Sequence, residues 1–159
     1  MDKIFPEIKM LILDVDGTLT DGGVYIQEDG KQFKKFNSQD GLGIKLAIKA
    51  GIDVGIISHS LITEMVTARA KMLGLKHYYV GQRPKLEVLE EWQKEMGIDF
   101  QQIAYIGDDV NDLDIMEQVG FTACPANAID KIKSIVNVIL TKKGGEGAVR
   151  EFIDRYLLD

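Results

Sequence analysis

The sequence predicts an α/β fold of the Rossmann-like, doubly wound type, in which helices cover both faces of a parallel sheet. Short, continuously apolar runs alternate with longer segments of helical periodicity along most of the 159 residues. Continuous apolar runs suit strands that are buried on both faces, whereas half-exposed strands alternate apolar and polar residues. Strand–helix alternation implies right-handed crossovers between parallel strands. The length suits one domain, which we expect to span residues 1–159.

Six apolar runs are the strand candidates of this sheet. They cover residues 10–13, 52–57, 78–80, 103–106, 121–124 and 136–140. Helices are predicted near residues 41–50, 61–73, 84–96, 111–119, 127–134 and 147–157. Gly51, Gly74 and Gly97 each follow a helical segment, where a left-handed C-cap suits glycine.

One segment interrupts this alternation and predicts a β-hairpin at residues 23–36. Two short runs with aromatic residues flank a turn that ends at Gly30. The hairpin falls between the first strand and the first helix, so it should protrude from the edge where the strands end. Exposed strands carrying Tyr25, Phe33 and Phe36 would be prone to aggregation on a monomer. We therefore expect pairing between subunits of a homo-oligomer, with a flap folded on its own domain as the alternative.

Charge and composition argue against several classes of partner. The 25 acidic and 19 basic residues give a formal net charge of −6, which disfavours non-specific binding to nucleic acid. No apolar stretch reaches the roughly 20 residues of a membrane span, and no signal peptide is evident. Cys124 is the single cysteine, so no intrachain disulfide is possible, and we expect a buried, unreactive thiol. These features predict a soluble cytoplasmic protein that binds neither nucleic acid nor membrane.

Two acidic residues directly follow the first strand. Asp14 and Asp16 stand two residues apart where the chain leaves this strand. In a parallel sheet, the carboxyl ends of the strands open onto the crevice where ligands bind. Two carboxylates held there resist joint ionisation unless a cation compensates them. A turn or helix cap is the structural alternative, because Asp is a common turn residue.

A second acidic cluster follows the fourth strand and therefore belongs to the same edge of the sheet. It contains Asp108, Asp109 and Asp112. Oxygen ligands from separate strands, with no His or Cys nearby, favour Mg²⁺, an ion that often pairs with phosphate. Ser58 ends the second strand and can donate to a phosphoryl oxygen, while Lys85 brings a compact positive charge near a helix start. We expect Lys85 to contribute little to the core.

The order of these four groups resembles the four motifs of the haloacid dehalogenase superfamily. The residues that match its first motif, Asp-x-Asp-x-Thr/Val, are Asp14, Asp16 and Thr18, and those that match its fourth are Asp108, Asp109 and Asp112. Ser58 and Lys85 stand where the second and third motifs are expected. Chance occurrence of all four motifs at strand ends is far less frequent than that of any one of them.

The resemblance implies a phosphatase that forms an aspartyl phosphate. In this scheme Asp14 is the nucleophile, and Asp16 is first the general acid for the leaving alkoxide and then the base for water. Mg²⁺ would be bound by Asp14, the backbone carbonyl of Asp16 and Asp108.

The resemblance also gives the remaining motif residues supporting roles. Ser58 and Lys85 would hold and neutralise the phosphoryl oxygens. Asp109 would reach the metal through water or orient Lys85. Asp112 would support the loop, or serve equally as a helix-start residue.

The gap between Thr20 and Asp40 is too short for an inserted cap domain and holds only the hairpin. The chain resembles a capless subfamily of tetrameric sugar-acid phosphatases, with matching stretches at residues 19–22, 36–41, 68–70, 107–112 and 144–151. Hairpins associate at the tetramer centre in that subfamily, so the resemblance implies a homotetramer. It also implies a phosphorylated sugar acid as substrate, namely the 8-phosphate of 3-deoxy-D-manno-octulosonate from lipopolysaccharide precursor synthesis. A nine-carbon sialic-type acid 9-phosphate is the alternative, and a phospho-accepting receiver domain is a more remote one.

Residues for the acidic end of the substrate are predicted with alternatives. Where the subfamily commonly has Thr-Gly-Arg, this chain has Ser58, His59 and Ser60, so His59 either replaces the missing arginine or is a bystander. Arg69 shares a helical row with apolar residues and either faces a carboxylate or phosphate at a subunit boundary or extends to water.

A glycine-rich stretch before the last helix supplies further candidates. Gly144 and Gly145 either cradle an anion at the helix start or form a flexible entry turn. Arg150 can contact substrate from its own or a neighbouring subunit. Thr18, from the first motif, is a further candidate for substrate binding.

Overall fold

The six predicted sheet strands are all present and all parallel. The computed structural model describes residues 6–158 and contains a six-stranded sheet and a separate two-stranded hairpin. The strands are β1 (Met10–Leu13), β2 (Tyr25–Ile26), β3 (Gln32–Phe33), β4 (Asp53–His59), β5 (His77–Gly81), β6 (Ile103–Ile106), β7 (Phe121–Cys124) and β8 (Val138–Ile139). The large sheet has the order β5-β4-β1-β6-β7-β8, so the chain winds outward in both directions from β1. This order confirms the doubly wound α/β prediction.

Helices connect the strands on both sides of the sheet. They are α1 (Ser38–Lys49), α2 (Glu64–Leu73), α3 (Lys85–Met96), α4 (Leu113–Met116), α5 (Asp130–Lys133) and α6 (Ala148–Phe152). Gly74 and Gly97 cap α2 and α3 in the left-handed conformation, as predicted from their positions. Within residues 6–158, every helix is too short or too polar to cross a membrane.

Two predicted elements near the acidic cluster and the sheet edge are shorter than their sequence pattern indicates. The segment 111–119 is a 3₁₀ turn, Val110–Asp112, followed by the single turn of α4. The carboxylate of Asp112 accepts from the backbone N–H groups before it, which holds the segment in a tight turn. The predicted strand 136–140 is reduced to β8, since the side chain of Asn137 accepts the N–H of Thr122 from the neighbouring strand.

Two further helix predictions are only partly correct. In the segment 127–134 only α5 is helical, because Asn127 uses its carboxamide to join two loops. In the segment 147–157, α6 changes to a π-helical turn at Ile153, whose carbonyl accepts from the N–H of Leu158.

The core consists of two layers separated by the sheet, and β1 contributes to both. Leu11 and Leu13 point into the layer that contains buried residues of α1, α2 and α6. Met10 and Ile12 point into the opposite layer, with buried residues of α3, α4 and α5. All four β1 side chains are completely buried, and burial of each stabilises the fold by about 1.5–3 kcal/mol.

The central position of β1 fixes where the strand ends meet. Leu13, its last residue, pairs with Ile56 in β4 and with Ile106 in β6. The residues that follow these positions therefore reach the same carboxyl edge of the sheet. This edge carries the acidic pair after β1, Ser58 in β4 and the acidic cluster after β6.

The hairpin protrudes between β1 and α1 and is shorter than predicted. Tyr25 pairs with Phe33, and their rings stack with centroids 4.8 Å apart. Phe36 lies outside the strands; it is partly buried against the core beneath the guanidinium of Arg69. Between β1 and α1 the described chain forms only this small hairpin, which agrees with the expected absence of a cap domain.

Asp40 places a buried carboxyl group between α1 and α6. Its Oδ1 accepts from the backbone N–H of Arg150 at 2.9 Å, while Oδ2 has no hydrogen-bond partner among the described residues. Burial raises the pKa of Asp40 to about 6, although the charges of Arg69, Lys142 and Arg150 oppose this rise. The folded protein therefore holds a proton here at pH values where the unfolded chain has released it.

We predict that the Asp40→Asn variant becomes more stable than the wild type as the pH increases. The difference in free energy of unfolding, variant minus wild type, should grow between pH 4 and pH 7. The wild-type carboxyl titrates near 3.8 when unfolded and near 6 when folded, so this group costs about 3 kcal/mol of stability across that window. The variant has no such titration. Urea denaturation at several pH values measures the difference, and a difference that stays constant with pH would contradict the prediction.

Candidate active site

A buried lysine joins side chains from three parts of the sheet edge. Lys85, the first residue of α3, donates from Nζ to Oδ1 of Asp14 and to Oδ1 of Asp112, both at 2.9 Å. The hydroxyl of Tyr105, which also donates to Asp112, lies 3.4 Å from the same Nζ. Lys85 is only 3% exposed, so the expectation that it contributes little to the core is wrong. Its charge balances carboxylates that are themselves buried.

Asp112 has all its hydrogen-bonding capacity used by the protein. Its Oδ1 accepts from Lys85 and Tyr105, and its Oδ2 accepts from the backbone N–H groups of Asp108 and Asp109 at 2.9 and 3.2 Å. These contacts organise the turn after β6 and fix the position of Lys85. Asp112 therefore supports the site and has no free lone pair for a metal ion.

Asp14 and Asp108 face each other, and their negative charges are not fully balanced by positive groups of the protein. One oxygen from each, together with one from Asp112, lies within 4.8 Å of the others. Burial and the charge of Asp112 raise the pKa of Asp14 to about 6, against the lowering effect of Lys85. Burial and the proximity of Asp14 raise the pKa of Asp108 to about 9. Both shifts indicate a site with an excess of negative charge.

This donor set fits Mg²⁺. Asp14 and Asp108 offer hard oxygen atoms from two rigid strand ends, and a divalent cation would remove their mutual repulsion. Gly17 makes the close approach possible, because a Cβ atom there would lie 2.0 Å from Oδ2 of Asp108. Its φ of +82° also suits glycine.

Asp16 lies at the edge of the site with its side chain half exposed. Its Oδ1 accepts from Nζ of Lys34 at 2.6 Å. Lys34 directly follows β3, so the hairpin contributes a charged group to the region beside Asp16.

An open pocket of about 370 Å³ lies over these groups. It is lined by Asp14, Asp16, Gly22, His59, Asp108, Asp109, Val110 and Asn111. His59 ends β4, and its Nε2 lies 2.7 Å from the carbonyl oxygen of Arg83; Ser58, just before it, is buried. Four carboxylates in the lining would repel an anion, so phosphate binding here requires a cation.

Several candidate substrate residues do not line this pocket. The Oγ of Ser60 exchanges hydrogen bonds with the backbone of Ile62 in its own loop. Arg69 donates to the carbonyl oxygen of Asn37 at 3.3 Å, a contact within the chain. Thr18 is buried with its hydroxyl unpaired among the described residues.

Arg150 also lies outside the pocket lining. Its Nε donates to the carboxylate of Asp154, and its Nη1 donates to the carbonyl oxygen of Gln39. The contact with Gln39 joins α6 to α1.

Gly144 and Gly145 pack against the loop that follows β1. A Cβ atom on Gly144 would lie 2.0 Å from the carbonyl oxygen of Gly17, and one on Gly145 would lie 2.4 Å from the nitrogen of Asp21. Asn127 joins the two loops, accepting from the N–H of Gly144 and donating to the carbonyl of Gly17. The glycine pair thus braces the loop that carries Asp16.

Three residues that contact the site were not predicted from the sequence, namely Tyr105, Asn127 and Lys34. Tyr105 carries the single polar group of an otherwise apolar strand, which was an available signal. The contacts of Asn127 and Lys34 span 110 and 18 residues of sequence, so no local pattern indicated them.

Comparison with known proteins connects this site with a family. A family model of haloacid dehalogenase-like hydrolases matches residues 80–153. The chain is 40% identical to the 3-deoxy-D-manno-octulosonate 8-phosphate phosphatase of Yersinia pestis over 151 aligned residues. This alignment covers 95% of this chain and 80% of the Yersinia pestis protein. The chain belongs to the haloacid dehalogenase-like hydrolases.

Solved structures of this hydrolase family share the fold. The 3-deoxy-D-manno-octulosonate 8-phosphate phosphatase of Moraxella catarrhalis, in complex with magnesium, phosphate and the sugar acid, has a TM-score of 0.89 and 40% identity over 94% of this chain and 86% of its own. The cobalt-bound phosphatase of Haemophilus influenzae has a TM-score of 0.89 and 36% identity over 95% of this chain and 88% of its own. These matches confirm the family resemblance inferred from the four motifs.

We predict that Lys85→Met lowers the free energy of unfolding by about 3 kcal/mol at pH 7, because Asp14 and Asp112 lose their buried counter-charge. The loss should be smaller at pH 5, where protonation of Asp14 removes part of the repulsion. Chemical denaturation at both pH values measures this. Lys45→Met, at an exposed position on α1, is the matched control. Equal losses at the two pH values would show that the repulsion is not the cause.

Proposed function

We propose that this protein is a Mg²⁺-dependent phosphatase that hydrolyses 3-deoxy-D-manno-octulosonate 8-phosphate to the free sugar acid and phosphate, as in lipopolysaccharide precursor synthesis. The observation that carries the proposal is the facing pair Asp14 and Asp108 beside the buried ammonium of Lys85. The Yersinia pestis phosphatase named for this substrate, 40% identical over nearly the whole chain, supports the choice of sugar acid.

Asp14 is the proposed nucleophile because it stands at the carboxyl end of β1, an interior strand of the sheet. It follows the fully buried β1, and Lys85 holds its Oδ1 while Oδ2 makes no bond to that ammonium. Attack on phosphorus forms an aspartyl phosphate and breaks the ester P–O bond, whose electron pair stays on the sugar oxygen. Lys85 and the hydroxyl of Ser58 offset the charge of the phosphoryl oxygens.

Asp16 is the proposed proton carrier. It gives a proton to the leaving sugar oxygen, then takes one from the water that attacks the aspartyl phosphate. That second attack breaks the P–O bond to Asp14 and returns the electron pair to its carboxylate. The half-exposed position of Asp16 at the pocket suits exchange with both substrate and water.

Asp14, Asp108 and the backbone carbonyl of Asp16 would hold Mg²⁺. When bound, this ion supplies positive charge that draws the phosphate into an acidic pocket and polarises it. Asp109 lines the same pocket and caps the turn after β6. Its proposed role is to reach the ion through water.

We also propose that the protein is a cytoplasmic homotetramer that assembles through its hairpins. The hairpin exposes Val24, Ile26 and Phe33, with 74%, 62% and 50% of their surfaces accessible. Apolar side chains on a short two-stranded ribbon favour burial against another copy. The unpaired thiol of Cys124, buried at the end of β7, suits a reducing compartment.

The function is tested by phosphate release from 3-deoxy-D-manno-octulosonate 8-phosphate and from a nine-carbon sialic-type acid 9-phosphate. We expect the higher kcat/KM for the eight-carbon ester, loss of activity with EDTA and its return with Mg²⁺. Asp14→Asn should lower kcat by about three orders of magnitude or more, while Asp130→Asn at an exposed position should not. Retained turnover in the former variant would exclude the nucleophile, and a preference for the nine-carbon ester would reassign the substrate.

Assembly is tested by sedimentation of the wild type and of Ile26→Lys. We expect the mass of four chains for the wild type and a lower mass for the variant, because a charge would enter the apolar contact. Ile139→Lys is the matched control, since this residue is similarly exposed but lies on the edge strand β8. A monomeric wild type would contradict assembly through the hairpin.

A further inference from the structure

Lys34 makes an unusual contact for a hairpin lysine. Its neighbours Phe33 and Lys35 are exposed, yet its own side chain is only 14% accessible. The ammonium lies 2.6 Å from Oδ1 of Asp16, across 18 residues of sequence. Lysine side chains usually keep the ammonium in water, so this placement gives up hydration and side-chain entropy for one specific partner.

The contact links the hairpin to the loop after β1. The hydroxyl of Tyr25 and the backbone N–H of Gly23 also donate to that loop, both to the carboxylate of Asp21. An ion pair with one half-exposed member contributes about 0–1 kcal/mol to the free energy of unfolding, so this contact has little effect on the stability of the fold. Its geometric effect is larger, because a charge-assisted bond selects one oxygen and restricts the rotamer of Asp16.

We propose that Lys34 is a positioning residue for Asp16, an inference that rests on the proposed phosphatase function. By occupying Oδ1, the ammonium leaves Oδ2 as the oxygen that carries the proton. During transfer of the phosphoryl group to Asp14, the ester P–O bond breaks, its electron pair stays on the sugar oxygen, and the proton of Asp16 moves to that oxygen. Lys34 itself exchanges no proton and does not contact phosphorus.

During formation of the aspartyl phosphate, a misplaced proton donor slows only esters whose leaving group needs a proton. The alkoxide of a sugar is a poor leaving group and depends on general acid catalysis, whereas p-nitrophenolate departs without a proton. The later attack of water, in which Asp16 acts as base, is the same for both esters and affects kcat but not kcat/KM. The ratio of kcat/KM values for the two esters therefore reports the position of Asp16 as proton donor. A general defect of folding or assembly would lower both values together.

The experiment compares Lys34→Met, Lys34→Arg and Lys35→Met with 3-deoxy-D-manno-octulosonate 8-phosphate and p-nitrophenyl phosphate. For Lys34→Met we expect kcat/KM to fall about 10-fold or more on the sugar ester and less than about 3-fold on the aryl ester. Lys34→Arg should restore most of the loss, since it keeps the charge. Lys35→Met removes the same charge from the adjacent exposed position and should leave both values unchanged.

A second measurement needs no turnover. Hydrogen exchange of the hairpin amides at residues 24–33 should be faster in Lys34→Met and in Asp16→Ala than in the wild type, because each variant removes one partner of the same hydrogen bond. Unchanged exchange, equal losses on the two esters or no loss on either would overturn the proposal. If the wild type hydrolyses neither ester, the proposed function fails, and the exchange measurement still decides whether Lys34 tethers Asp16.

Discussion

The site depends on an imbalance of buried charge. Three carboxylates lie close together, those of Asp14, Asp108 and Asp112, and the ammonium of Lys85 contacts two of them, Asp14 and Asp112. When all four groups are ionised, the cluster has an excess of two negative charges. Burial, and then the charges of the neighbouring carboxylates, raise the pKa values of Asp14 and Asp108. A divalent cation would cancel this excess, so holding like charges together at the end of the sheet favours metal binding.

Local hydrogen bonds and close packing hold the repelling carboxylates together, because they leave the loops that carry them little freedom to move apart. Asp112 accepts four hydrogen bonds and fixes the turn after β6. Gly17 lets the loop after β1 approach Asp108, and Asn127 ties that loop to the glycine stretch before α6. Each of these contacts restrains a backbone segment that carries a charged residue.

The sequence was informative where a feature depends on neighbouring residues. Apolar runs predicted every sheet strand, and the order of the strands placed both acidic clusters at one edge, because parallel strands end on the same side. Contacts between distant residues were not predictable, as the burial of Lys85 against Asp14 shows, since the two lie 71 residues apart. The helix predicted at 111–119 is shorter in the structure because the side chain of Asp112 competes with helical hydrogen bonds. The periodicity of apolar residues carries no information about such a side-chain contact.

Burial differs between Asp14 and Asp16, the two carboxylates with proposed catalytic roles. Asp14 is held in a buried ion pair that would be costly to rearrange, which suits a nucleophile that must keep its position. Asp16 has a shorter contact with Lys34, 2.6 Å against 2.9 Å, but is half exposed, and an ion pair in that setting is weak enough to change partners. A proton carrier that meets first a sugar oxygen and then water needs this freedom. The hairpin, by supplying Lys34, would limit that freedom without abolishing it.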